Sequence, residues 1–274
     1  MTEYHFETLR PASLYVEIGR GSVQVVATDT TESYVEVAGR DAADVRVTQE
    51  GDEITVVAPR MRTGFLSGDS RLDVRVTVPT DSDLAIRTGS ADIGVDGTVG
   101  TAKLKSGSGE VRVDTLAGPA VIDTGSGDIL VDEARGELRI KSGSGSINLG
   151  QVASSVAVST GSGDVEIGTT NGPTVVKTGS GDLKVADART DVSLTTGSGD
   201  LVIGTANRGR LTAKGASGDV HVGIPAGTPV WTDISTVSGE IRSNLHGAGE
   251  PGEGTDHVEL RAKTVSGDIV LTEV

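Results

Sequence analysis

Cysteine is absent from the 274 residues, so no disulfide holds this chain together in any compartment. Aromatic residues make up only 2%, with one tryptophan and two phenylalanines. That scarcity argues against a sugar-cleaving enzyme, which needs clustered carboxylates, basic residues in a groove and aromatic platforms. Basic residues are outnumbered, 24 against 39 acidic, for a net charge of −15. Nucleic acid is bound by displacing counterions with basic patches, and anionic lipid attracts basic segments, so the charge argues against both partners. No apolar run approaches the length of a membrane span, and Met1 to Glu7 has neither a basic start nor an apolar stretch of a secretion signal. The expectation is a cytoplasmic chain with no membrane insertion. Helical apolar periodicity never exceeds two turns.

What the chain has instead is a repeat. Thr160-Gly161-Ser162-Gly163-Asp164-Val165-Glu166-Ile167 reads as a Gly-Ser-Gly bend, an acid, then apolar-any-apolar. The acid slot recurs at Asp92, Glu110, Asp128, Ser146, Asp164, Asp182, Asp200, Asp219, Glu240 and Asp268. The first six steps are 18 residues each and the last three are 19, 21 and 28. Fixed-period self-similarity marks a solenoid, in which no unit buries its apolar face alone.

Each repeat encodes two short strands. In residues 128–145, apolar and polar residues alternate at Ile129/Val131 and again at Leu138/Ile140, with turn formers between. Down the repeats these slots become aliphatic columns: Ile93, Val111, Ile129, Ile147, Val165, Leu183, Leu201 in one, and Ile86, Leu104, Ile122, Ile140, Val158, Val176, Leu194 in another. Alternation places Thr160 and Ser162 inward together with Val165, so the phase breaks at Gly163, where glycine permits a positive φ. A serine stands two before the acid in every copy, from Ser90 to Ser266. Repetition makes it a hydrogen-bonding turn residue rather than a nucleophile. Two inward pairs per coil, rather than one apolar residue every six, favour a right-handed parallel β-helix over a left-handed one. At about 4.8 Å per coil, ten coils span about 50 Å.

The expected class is therefore all-β, a single-stranded right-handed parallel β-helix with 18-residue coils and irregular N-terminal capping coils. Residues 1–80 form the cap and first coils, and 81–274 the regular solenoid, continuous as one domain. Leu14, Val16, Gly19, Val23 and Val25 match Leu84, Ile86, Gly89, Ile93 and Val95, so residues 14–25 read as a degenerate first coil. Residues 59–71, with three arginines and Phe65, read as an insertion that folds back on the cap. Trp231 reads as a packing residue over a wider coil. Residues 245–257 are rich in glycine and carry His246, His257 and three carboxylates, without ligand spacing, and read as a solvated loop.

The Thr-Gly-Ser-Gly-Asp repeats resemble the bacterial adhesin-type family of β-strand repeats called toastrack domains. The closing segments, 231–241 and 263–269, resemble actinobacterial members. The resemblance spans about residues 14–274 and implies a β-solenoid with no catalytic residues to carry over. The reading that follows is a non-enzymatic, adhesin-like scaffold binding an unspecified protein partner, with no cofactor and no catalytic residue. One alternative is a calcium-binding repeat protein using the acid column Asp128, Asp164, Asp182, Asp200 and Asp219. Stacked carboxylates about 4.8 Å apart repel by about 0.9 kcal/mol, which a hard cation would relieve, although Ser146 interrupts the column and Lys105, Lys141 and Lys177 lie near the same corner. The other alternative is a polysaccharide-acting β-helix enzyme. Finally, the last copy keeps Ile269 and Leu271 in core slots just before the terminus, which predicts weak self-association through the C-terminal coil.

Overall fold

Alternating β-branched and polar residues become strand throughout the repeats, and turn residues become the bends between them. The computed structural model describes residues 1–59, 71–246 and 256–274. Among them the fold is an all-β solenoid of stacked parallel strands, with a single 3₁₀ turn at Ala42–Asp44 and no α-helix. Two compact units follow one another, Met1–Glu137 and Leu138–Val274.

In the first unit, strand Ser13–Ile18 lies parallel to both Asp83–Thr88 and Glu53–Val57. Strand Gly21–Thr28 lies parallel to Leu72–Pro79 and Asp92–Val99. The register pairs Leu14 with Leu84, Val16 with Ile86, Val23 with Ile93 and Val25 with Val95, as the repeat pattern predicts. The chain between these coils adds a further layer on the far side of the first one. There the pairing turns antiparallel: Thr2–Glu7 with Glu32–Gly39, Glu32–Gly39 with Leu72–Pro79, and Arg46–Glu50 with Glu53–Val57. The outermost strands alternate half-buried and exposed residues, with Glu3, His5, Glu7, Arg46 and Glu50 facing solvent. Charges on an edge strand discourage another chain from pairing with it. Tyr4 and Phe6 stack at 6.5 Å between ring centroids on the half-buried face of that edge.

In the second unit, one sheet stacks Leu138–Ser142, Val156–Thr160, Thr174–Thr178, Val192–Thr195 and Gly209–Lys214. The other stacks Ile147–Val152, Val165–Thr170, Leu183–Ala188, Leu201–Ala206 and Val220–Ile224. The stack then departs from chain order. Strand Val258–Ser266 inserts between Gly209–Lys214 and Val230–Ser238. Strand Ile269–Glu273 inserts between Val220–Ile224 and Ile241–Ser243. The last coil in sequence is thus the penultimate coil in space. Ile269 is 0% exposed and Leu271 3%. The expected self-association surface at the C-terminal coil is therefore not there, because a neighbouring coil already covers it. The coil at the open end, 230–243, sets Thr232 against Leu260 and Ser243 against Leu271. Polar residues in these core slots reduce the apolar surface an open end displays.

The aliphatic columns are buried as expected, Ile140, Val158, Val176 and Leu194 among them. A third buried column escapes simple alternation: Leu116 and Ala134 in the first unit, and Val152, Thr170, Ala188 and Ala206 in the second. Each follows a skipped register position, as where Leu149 pairs with Ile167 and Gln151 with Thr169, leaving Gly150 unmatched. The irregularity turns the strand so that a third side chain faces the core.

The glycine before the acid has the expected positive φ at Gly218, +144°, and Gly267, +157°, but at Gly163 its physical role is different. Gly163 is not among the positive-φ glycines. A Cβ built there would lie 2.0 Å from the Gly145 carbonyl oxygen of the preceding coil. At Gly163, close coil-on-coil approach rather than a left-handed backbone is what demands glycine. Gly163→Ala is expected to cost about 3 kcal/mol by overpacking, read as a lower melting temperature or denaturant midpoint.

Candidate functional site

The repeated polar residues of the motif lie along one edge, and the structure shows what each of them does. The acid column is a ladder. The Asp182 amide donates to Asp164 Oδ1 at 2.9 Å, Asp200 to Asp182 at 2.8 Å, Asp219 to Asp200 at 2.7 Å, and Asp268 to Asp219 at 2.7 Å. Glu240 then donates to Asp268 at 2.8 Å, which independently fixes the inverted order of the last two coils. In the first unit the Glu110 amide donates to Asp92 Oδ1 at 2.9 Å. Each of these carboxylates accepts a backbone N–H that the turn would otherwise leave unpaired. Asp182→Ala is expected to cost about 1–2 kcal/mol in chemical denaturation, the penalty for leaving the Asp200 amide without its acceptor.

Four residues before the acid sits a second hydroxyl column, and it is the structural one. Thr160 Oγ1 accepts from the Gly163 amide at 3.1 Å, Thr178 from Gly181 at 2.9 Å and Ser106 from Gly109 at 2.9 Å. Thr196 Oγ1 occupies the same slot but is buried with no partner. A paired test follows. Thr160→Val should cost about 1–2 kcal/mol, while Thr196→Val should be neutral or stabilising, since no bond is lost there. The serine two before the acid faces outward instead of inward: Ser144, Ser162, Ser180 and Ser198 are exposed. The chain turns outward at the glycine one residue earlier than alternation implies.

Arginines along the edges are neutralised by a carboxylate two residues away in sequence. Arg112 pairs with Glu110 at 2.7 Å, Arg135 with Glu133 at 2.7 Å and Arg189 with Asp187 at 2.7 Å. Arg242 pairs with Glu240 in the same way. Glu259 takes two, Arg210 at 2.6 Å and Arg261 at 2.5 Å. The Arg210 guanidinium hydrogen-bonded to it, aided by Arg261, holds the Glu259 carboxyl below the usual range. A lowered carboxyl contributes above its unfolded value and loses that contribution as pH falls through the folded one. A polar groove of about 590 Å³ is lined by Asp187, Arg189, Asn207, Arg208 and Asp256. Its arginines already pair, Arg189 with Asp187 and Arg208 with Asp256 at 3.6 Å. Its charges are therefore self-compensated.

The repeat, the ladder and the strand stacks coincide with one known family model, which matches residues 13–272 and is described as Toastrack DUF4097. The chain belongs to the toastrack family. Solved structures similar to this toastrack chain include a candidate adhesin from Bacteroides fragilis, 10% identical, with a TM-score of 0.39 over 100% of this chain and 96% of that one. A candidate adhesin from Parabacteroides distasonis is 15% identical, with a TM-score of 0.35 and the same coverage, 100% and 96%. A candidate lipid-binding protein from the same species is 11% identical, with a TM-score of 0.39 over 100% and 96%. No curated protein matches the sequence.

The remaining marked residues of this toastrack chain are not brought together. Trp231 is 51% exposed rather than packed, because its register partner Glu259 belongs to the outward set; the Arg261 guanidinium lies 5.5 Å from its ring centroid. His246 Nδ1 contacts Glu273 at 3.0 Å, and His257 is exposed at the start of another strand. Phe65 and the arginines at 60 and 62 lie outside the described residues, as do residues 247–255. Among the described residues no three His, Asp or Glu are grouped to hold a metal ion, and no helix is long and apolar enough to cross a membrane. Lys105, Lys141 and Lys177 stand in outward slots of the second strand of each coil, and only Lys105 has a carboxylate partner, Asp123 at 3.1 Å.

Proposed function

We propose that this toastrack chain is a non-enzymatic, adhesin-like binding scaffold that holds a partner on its repeated outer slots. One observation carries the reading: the motif's carboxylates, and Thr160 and Thr178, are engaged in holding backbone. The carboxylates of the ladder accept amides of the next coil, and Thr160 and Thr178 accept amides of their own bends. A nucleophile or general acid needs a neighbouring base or orienting group, and along this edge the neighbours are copies of the same residue. The outward slots, by contrast, vary from coil to coil, as Arg139, Ala157, Val175 and Ser193 do in one column. Varied side chains on an invariant frame are how a rigid scaffold presents a binding surface.

The same ladder weighs against calcium as the ligand, since one oxygen of each carboxylate already serves a backbone amide. Millimolar calcium is expected to leave the melting temperature unchanged; a rise that saturates with calcium would reinstate the calcium reading. The scaffold reading is tested by incubating the protein with an immobilised panel of polymers and proteins, then recovering whatever is retained. Recovery at unchanged mass supports a binding role. Retained material that returns with new chain ends or a new mass identifies an enzyme instead.

A further inference from the structure

The net charge conceals a segregation of its sign. The chain has seven lysines, and six of them, all but Lys184, occupy the second strand of a coil. In the second unit the strands LRIKS, VAVST, TVVKT, VSLT and GRLTAK stack side by side, and no carboxylate occurs in any of them. The register runs Lys141, Ser159, Lys177, Thr195, Lys214 in a single column, so a lysine returns on every second coil. Two coils advance about 9.6 Å. Lys141, Lys177 and Lys214 are exposed and have no ion pair among the described residues, in contrast to the arginines paired along the edges. Between them stand only Ser159 and Thr195, and beside the column the exposed hydroxyls of Ser144, Ser162, Ser180 and Ser198 make no hydrogen bond to described residues.

Resting on the scaffold reading, we infer that this face binds a linear acidic polysaccharide laid along the lysine column, its anionic groups on Lys141, Lys177 and Lys214 and its hydroxyls on the serines. An uncompensated file of cations is complementary to a polyanion laid along it. A single file with a fixed period suits a chain that carries one charge per repeat. Single-stranded nucleic acid would also bring charges in line, but it is held by bases stacking on aromatic rings, and these five strands contain none. An anionic bilayer is recognised by a broad basic cluster, commonly with apolar wedges, whereas the column is one lysine wide and its flank offers Val175 at 40% exposure.

The experiment measures binding of polygalacturonate and heparin to the full chain at low and high salt, with dextran, oligo-dT and phosphatidylserine vesicles as comparisons. Variants are Lys141→Ala/Lys177→Ala/Lys214→Ala and, on the other sheet, Lys184→Ala, each with its melting temperature checked against the wild type. At about fivefold per lysine, the triple variant should weaken acidic-polysaccharide binding about a hundredfold, with unchanged melting and a shallower salt dependence. Lys184→Ala should bind like the wild type, and dextran should not bind. Acidic polysaccharides that fail to bind at low salt, bind the triple variant equally, or bind less tightly than oligo-dT or the vesicles would overturn the inference. Cleavage of the bound polymer would overturn the scaffold reading instead, whatever the lysines contribute.

Discussion

Deleting residues 147–164 is expected to leave a folded protein one coil shorter, whereas deleting residues 147–155 abolishes the cooperative melting of the second unit. The full deletion joins Ser146 to Val165, and equivalent slots pair across the join, because Ile147 and Val165 are register partners. Strand Leu138–Ser142 then meets Thr174–Thr178 in place of Val156–Thr160, with Val176 in the slot of Val158 and the buried Thr174 in the slot of Val156. Only the burial and hydrogen bonds of one coil are lost, as expected of a stack in which each repeat contacts its neighbours. The half deletion forces Val156–Thr160 into the opposite sheet or loops it out. Either way the Gly-on-Gly approach of Gly163 to Gly145 and the ladder from Asp164 onward lose register. Circular dichroism and thermal melting distinguish the two variants, and identical behaviour would disprove an 18-residue unit.

Ile269→Lys should be nearly as damaging. With a terminal C-terminal coil, the substitution would place an ammonium group on an exposed end and leave the fold intact. With the observed order, Ile269 is fully buried between Val220 and Ile241. Burying an unpaired ammonium costs several kcal/mol, about 3–5 after local relaxation. The coil at 230–243 has Val258–Ser266 and Ile269–Glu273 as its strand partners, so it should detach together with them. Limited proteolysis should cut the variant between residues 225 and 274 under conditions that spare the wild type. An intact, monomeric variant that melts like the wild type would show that the last coil in sequence is also the last in space.

Much of this architecture is written in the sequence because a solenoid repeats its local rules. Period-two alternation assigned the strands and the two main core columns, and the 18-residue step fixed their register, since one slip would turn every side chain to the wrong face. Even the match of Leu14 to Leu84 across a long insertion was legible, because the same slots must meet the same neighbours. Three things were not, and each depends on contacts between coils. Simple alternation carried Ser162 inward, while the bend places Thr160 inside and Ser162 outside. Glycine at 163 suggested a backbone angle, while the constraint is a carbonyl oxygen of the preceding coil. Chain order put residues 258–273 at the end of the stack, but strand pairing put them one coil inside it, since neighbours in a sheet need not be neighbours in sequence. The charge was legible as an acid column with Lys105, Lys141 and Lys177 near it, while the structure showed that the acids bind their own backbone and that Lys141, Lys177 and Lys214 form a column without ion pairs among the described residues. Local periodicity thus determined the strands and their apolar slots, while the stacking of coils decided which polar groups are engaged and which face outward.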